Sequence, residues 1–177
     1  CLASLPATAD PAPLDEAVAT DYEAHLGELF LHFHRNPELS FQEHATAARL
    51  AQELGDAGFS VTGGVGGTGI VAIMENGPGP RVMLRADMDG LPVEEKTGLP
   101  YASEATQIDP RGNEVPVMHA CGHDVHITSL VGTARQMAAR RDAWSGTLML
   151  IGQPAEERIA GARRMMEDGL WQRFGRP

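Results

Sequence analysis

The chain is predicted to be an α/β domain, with a mixed or parallel sheet covered by helices on both faces. Three observations predict it. Stretches with helical apolar spacing alternate with short β-rich runs. Twenty glycines and twelve prolines mark the changes between them. Three clusters of acidic or metal-ligating residues follow predicted strands or open a helix, and open α/β sheets place their sites at the carboxyl ends of strands.

The elements follow in order. Across residues 15–35, Val18, Tyr22, Leu26, Leu29, Phe30 and Phe33 recur at three- and four-residue steps and predict an amphipathic helix, which Pro37 ends. Ser40-Phe41-Gln42-Glu43 reads as a capping box opening a second helix through Leu54, closed by Gly55 and Gly58. His25, His32, His34 and His44 lie on or beside these helices and read as exposed or hydrogen-bonded helix histidines. Three strands are then predicted at 59–65, 69–75 and 81–86. A polar excursion over 97–116 allows a hairpin around Asp109-Pro110-Arg111-Gly112. Ile127, Leu130, Val131, Ala134, Met137 and Ala138 predict a helix within 122–141. A buried strand over 147–152 and a helix over 160–168, ending near Gly169, complete the pattern.

Composition narrows the function. At 177 residues, 42% hydrophobic and 21% charged, the chain has the make-up of one globular domain. A formal net charge of -10 argues against a nucleic-acid partner. No apolar run has the length of a membrane span. Residues 1–13 are small, Pro-rich and almost uncharged, and are expected to be a flexible tail ahead of a domain over 14–177. Ala7-Thr8-Ala9 fits a signal-peptidase site, and Cys1 could instead begin a processed lipoprotein. Both readings imply a periplasmic or secreted protein; otherwise the expectation is cytoplasmic. Cys1 and Cys121 are the two cysteines. A disulfide between them would tie the tail to the site; Cys121 is better read as a ligand or a nucleophile.

The densest chemistry lies in His119-Ala120-Cys121-Gly122-His123-Asp124-Val125-His126. A Cys-x-His pair in a glycine turn can bring a thiolate and an imidazole to one ion. Glu156-Glu157 follows a predicted strand. One of two adjacent glutamates can bind a metal while the other faces the reacting water as general base. In Arg85-Ala86-Asp87-Met88-Asp89-Gly90-Leu91-Pro92, a carboxylate could ligate metal or orient a ligand imidazole, the role expected of Asp89.

These motifs resemble a known family. Leu84 to Glu95, Met118 to His126 and Gly152 to Glu157, together with His34-Arg35-Asn36-Pro37-Glu38-Leu39-Ser40 and Gln42-Glu43-His44, resemble the ordered signatures of metal-dependent aminoacylases, hippurate hydrolases and indole-acetyl-amino-acid hydrolases. The resemblance spans roughly residues 22–170. It implies a three-layer αβα zinc-peptidase-like catalytic domain with two divalent ions, zinc or manganese. It makes Cys121 the bridging thiolate, His123 and Glu157 ligands, Glu156 the general base and acid, and Asp89 the orienting aspartate. The implied reaction is hydrolysis of the amide of an N-acyl amino acid. A metallo-dipeptidase or carboxypeptidase of the same family is the nearest alternative, with a dipeptide as substrate. The resemblance also implies a homodimer for the full-length protein.

Family members are longer, with further ligand histidines and a lid or dimerisation domain downstream of Glu157. This chain ends at Arg176-Pro177 before either. It is therefore expected to be the N-terminal part of the catalytic domain, with an incomplete sheet, exposed apolar surface and, alone, weak metal binding and little activity. Two other classes remain open. One is a metal-free cysteine hydrolase using Cys121 with His123 or His119. The other is an inactive truncated chain acting as a binding partner.

Overall fold

Alternating apolar runs and glycine turns build four of the six strands into one mixed sheet. The computed structural model describes residues 12–177, so the readings that rest on Cys1 and Ala7-Thr8-Ala9 lie outside the described residues. The elements are α1 (Leu14–Asp21), a π-helical turn (Tyr22–Leu26), α2 (Gly27–Arg35), α3 (His44–Asp56), β1 (Ser60–Val65), β2 (Gly69–Asn76), β3 (Arg81–Asp87), β4 (Thr106–Ile108), β5 (Glu114–Pro116), α4 (His123–Ala139), a 3-10 turn (Arg141–Ala143), β6 (Gly146–Gln153), α5 (Gly161–Glu167) and α6 (Leu170–Phe174).

The sheet order is β1-β2-β6-β3. β2 runs antiparallel to β1 and to β6, whereas β3 runs parallel to β6 with Arg81 opposite Thr147 and Asp87 opposite Gln153. The near-continuous apolar run of β6 suits a central strand buried on both faces. β3 lies at the end of the order, with Val82 and Leu84 exposed. Because β3 and β6 are parallel neighbours, their carboxyl ends emerge side by side, which brings Asp87 and Asp89 to Glu156 and Glu157.

Helices cover both faces, giving the three layers that were expected. On one side Phe33 of α2, Leu50 and Leu54 of α3, and Ile127 and Val131 of α4 pack with Ile70, Ala72 and Leu150 of the sheet. On the other, Met165 of α5 and Leu170 of α6 pack with Val71, Met149 and Ile151. α4 starts at the site end of the sheet, immediately after Gly122 in a left-handed conformation.

Three expectations require correction. The first helix is divided by a π-helical turn at Tyr22–Leu26. The capping box does not form: α3 begins at His44 without a side-chain cap from Glu43. Ser40 donates instead to Asp89 (2.6 Å), and Glu43 accepts from Thr68 and Ala155. Glu38 takes over the capping, its two oxygens accepting the N–H groups of Ala45 (3.1 Å) and Thr46 (2.7 Å). The helix also runs on to Asp56, which places Gly55 inside it. The predicted hairpin forms as β4 and β5, and α6 is an element the sequence reading did not include.

Candidate metal centre

Asp89 is the hub of the site. Its carboxylate is buried and accepts the Ser40 hydroxyl, the N–H of Glu156 (3.0 Å) and the N–H of Glu157 (3.1 Å). Burial works against its charge, but the His123, Ser40 and backbone hydrogen bonds outweigh it and hold the acid below the usual carboxylate range. Asp89 thereby fixes the loop that carries both glutamates.

His123, the first residue of α4, is oriented by the same segment. Its Nδ1 lies 2.7 Å from the backbone carbonyl of Asp89. A carbonyl only accepts, so Nδ1 carries the proton and Nε2 is left to face the cleft. Around Nε2 stand Asp87 Oδ2 (3.8 Å), Glu156 Oε2 (3.8 Å) and Glu157 Oε1 (3.9 Å). Burial disfavours charge on this imidazole, yet the acids around it, Asp89 first, raise its pKa to about 9. The environment therefore attracts a cation to Nε2.

The donor set fits a metal ion. Ligand atoms of His123, Glu156 and Glu157 all lie within 4.8 Å of one another, and so do those of Asp87, His123 and His126. Ligands spaced about 2.1 Å from a tetrahedral zinc stand roughly 3.4 Å apart, close to the separations at Nε2. Glu157 Oε1 is buried without a hydrogen-bond partner among the described residues. Such an orphan oxygen is costly unless it receives a ligand. In the second trio Asp87 also accepts from Arg85, and His126 Nδ1 stands 3.5 Å from Asp87.

The two glutamates differ in depth: the side chain of Glu156 is 42% exposed and that of Glu157 15%. Both carboxylates approach Nε2. Cys121 is a free, exposed thiol outside both trios. Hydrogen bonding to Glu157, then burial and the charges of Glu157, Glu156 and Asp89, push its pKa up to about 11.

Three features support the site in ways the sequence did not specify. Glu43 is fully buried and accepts Thr68 Oγ1 (2.6 Å) and the Ala155 N–H (2.8 Å) just before the glutamates. His34 is buried between Asp124 Oδ2 (2.7 Å) and Glu95 Oε1 (3.2 Å), which joins α2 to the start of α4. His119 is buried with neither ring nitrogen bonded to any described residue, and loss of solvation drives its pKa down to about 4. The signal for Glu43 was present in the motif but pointed to a helix cap.

Residues 83–176 match the peptidase family M20/M25/M40. The chain is 44% identical over 142 residues to a hippurate hydrolase of Campylobacter jejuni, covering 80% of this chain and 34% of that protein. It is also 44% identical over 141 residues to thermostable carboxypeptidase 2 of Saccharolobus solfataricus, covering 77% and 34%. Among solved structures, the YXEP protein of Bacillus subtilis, described as a dinuclear metal-binding peptidase of the M20 family, superposes with a TM-score of 0.74 at 37% identity over 89% of this chain and 41% of that one. The chain belongs to the peptidase family M20/M25/M40. It spans about a third of the length of the curated relatives it matches. No helix among the described residues is long and apolar enough to cross a membrane.

Proposed function

We propose that residues 14–177 are the N-terminal portion of the catalytic domain of a metal-dependent amidohydrolase that cleaves N-acyl amino acids. One observation carries the reading: His123 presents a cleft-facing Nε2 to two carboxylates at 3.8 and 3.9 Å, one of them with an orphaned oxygen. On this reading His123, Glu157 and Cys121 hold a pair of divalent ions, zinc or manganese, with the remaining ligands supplied from elsewhere in the full-length protein. Bound there, the ions supply Lewis acidity toward the amide carbonyl and lower the pKa of water.

The chain's own residues account for the proton movements. Glu156, the more exposed glutamate, takes a proton from the attacking water and passes it to the departing nitrogen, so that amide and water become a carboxylic acid and a free amine. Asp89 holds both glutamate amides and, through its carbonyl, the Nδ1 proton of His123. Those contacts keep the base and ligands in register before substrate arrives.

A thiolate nucleophile fits less well, because the acids around Cys121 raise its pKa when reactive cysteines have theirs lowered. A carboxypeptidase or dipeptidase is the second reading, supported by the equal identity to hippurate hydrolase and to carboxypeptidase 2. Assembly as a homodimer is part of the proposal for the full-length protein. Export rests on the composition of the first thirteen residues.

The test uses the full-length, metal-loaded protein with hippurate and with a dipeptide. Glu156→Gln is expected to keep its metal and lose about 10²–10⁴-fold in kcat. Glu157→Gln and His123→Ala are expected to lose metal. Full activity in Glu156→Gln would refute the assignment. Turnover of the dipeptide alone would select the second reading.

A further inference from the structure

We infer that Arg111 and Arg158 form a receiving site for the substrate's carboxylate, in a cavity that Glu157 also lines. This inference rests on the amidohydrolase reading and adds the residues that would select acidic substrates. A cavity of about 360 Å³ is lined by Ser40, Leu91, Pro92 and Glu157 and flanked by these two arginines. Neither guanidinium has an ion pair or hydrogen bond among the described residues, a property shared with Arg35, Arg163 and Arg176, none of which lines this cavity. What distinguishes Arg111 and Arg158 is their place: both line one cavity with a candidate ligand glutamate.

Both arginines are held on fixed supports. Arg111 sits in the β4–β5 turn, where the Asp109 carboxylate accepts the N–H groups of Arg111 (2.8 Å) and Asn113 (2.9 Å). That acid is engaged by its own turn. The hairpin is in turn tied to the site rim: Gln107 Oε1 accepts the Leu39 N–H, and the Gln42 amide donates to the Ile108 carbonyl (3.2 Å). Arg158 follows Glu157 directly. Glu156, Glu157 and Arg158 are bracketed by Ala155 (φ 48) and Ile159 (φ 52), both left-handed. A β-branched residue seldom adopts that conformation and is held there only where the surroundings enforce it. Ile159 donates to the Glu156 carbonyl at 2.7 Å, closing a tight turn that contains Arg158, which lines the cavity.

The chemistry identifies the ligand. Guanidinium groups bind planar carboxylates through paired, charge-assisted hydrogen bonds. In an N-acyl amino acid the carboxyl carbon lies two bonds beyond the scissile nitrogen. Its receiver must therefore stand close to the glutamates, and these arginines share a cavity with Glu157. Neutral acylated amines lack the group and gain nothing from the pair.

The experiment compares wild type, Arg111→Gln, Arg158→Gln and the double variant in the full-length, metal-loaded protein. The probes are hippurate and N-benzoylglycinamide, which share the scissile bond and differ in the carboxylate. Two quantities are measured: the ratio of kcat/KM for the two probes, and the ratio of their dissociation constants by calorimetry. Each arginine is expected to contribute about ten-fold to the preference for hippurate, with circular dichroism unchanged. A double variant that keeps the wild-type preference in both measurements overturns the inference. If wild type binds hippurate through the arginines yet hydrolyses neither probe, the carboxylate site stands and the amidohydrolase reading falls. If wild type shows no preference for hippurate in binding or turnover, the inference is overturned whatever its activity.

Discussion

The buried carboxylate of Glu43 accepts the backbone N–H of Ala155 at 2.8 Å, across 112 residues of sequence. Ala155 is left-handed at φ 48, a conformation that costs an alanine roughly 1–2 kcal/mol, and the next two residues are the candidate base and ligand. Glu43 therefore helps to hold the turn that presents Glu156 and Glu157.

Glu43→Ala leaves the Ala155 N–H and the Thr68 hydroxyl unsatisfied in a closed site and is expected to cost about 3 kcal/mol. Glu43→Gln keeps an acceptor for Ala155 and is expected to stay within about 1 kcal/mol of wild type. Burial raises the pKa of Glu43 against the opposing pull of Thr68 and backbone hydrogen bonds. Its favourable contribution is thus full below the ordinary carboxylate pKa and is lost as pH rises through the raised native value. Thermal melts between pH 4 and pH 8 should show Glu43→Gln gaining on wild type as pH rises. A gap that does not change with pH would contradict the assignment.

Cys121 offers a chemical probe of the same cluster. Its pKa moves from 9.0 to about 11 through Glu157 and the neighbouring acids. At neutral pH that lowers the thiolate population roughly 100-fold, while the more basic thiolate is intrinsically about 10-fold more nucleophilic. Metal-free protein should react with iodoacetamide about 10-fold more slowly than a model thiol, and Glu157→Gln should be faster. A rate above that of the model thiol would point to an activated nucleophile and revive the cysteine-hydrolase reading.

The candidate ligands were legible because Cys121-Gly122-His123, Asp87-Met88-Asp89 and Glu156-Glu157 are short local motifs at element ends. The sheet was legible because β6 is almost wholly apolar and glycines bound its neighbours. The contacts that hold the site together were not legible in the same way. Ser40 reaches Asp89 across 49 residues, and Glu43 reaches Ala155 across 112. A Ser-x-x-Glu spacing is equally consistent with a helix cap, and local pattern alone cannot choose between the two. α6 is five residues between Gly169 and Gly175, too short for a periodic signal. The π-helical turn packs against α4, and no local spacing encodes it.

A second pH effect has the opposite sign. Asp21, at the end of α1, receives Arg135 of α4, with Nε 3.0 Å from each carboxylate oxygen and Nη2 2.6 Å from Oδ1. The Arg135 hydrogen bonds hold Asp21 below its ordinary pKa of 3.8. That contribution is present above the ordinary value and is lost as pH falls through the lowered native one. Arg135 is about a third exposed, so the pair is partly screened. Asp21→Asn is expected to cost about 1 kcal/mol at pH 7 and progressively less toward pH 2, as read from urea unfolding. An equal cost at both pH values would mean that the charge contributes nothing.

Two glycines should respond to alanine in opposite directions, and only one of them touches the site. A Cβ on Gly161 would stand 1.5 Å from the Pro154 carbonyl oxygen and 2.5 Å from its carbon. Both atoms belong to backbone that leads directly into Ala155 and the glutamates, and the Gly161 N–H closes the turn by donating to the Ala155 carbonyl at 3.2 Å. No rotamer relieves a clash with main chain, so the 154–161 turn must open. Gly161→Ala is expected to cost more than about 2 kcal/mol and to weaken metal binding, because Glu157 moves with the turn. Gly55 lies in α3, and a Cβ there meets nothing within 4 Å. Gly55→Ala is expected to stabilise by about 1 kcal/mol through helix propensity and a less disordered unfolded state, with metal affinity unchanged. Melting temperature and zinc affinity measured on both variants separate the two effects. A Gly161→Ala protein that melts lower yet binds zinc as wild type does would mean that the turn does not position Glu157.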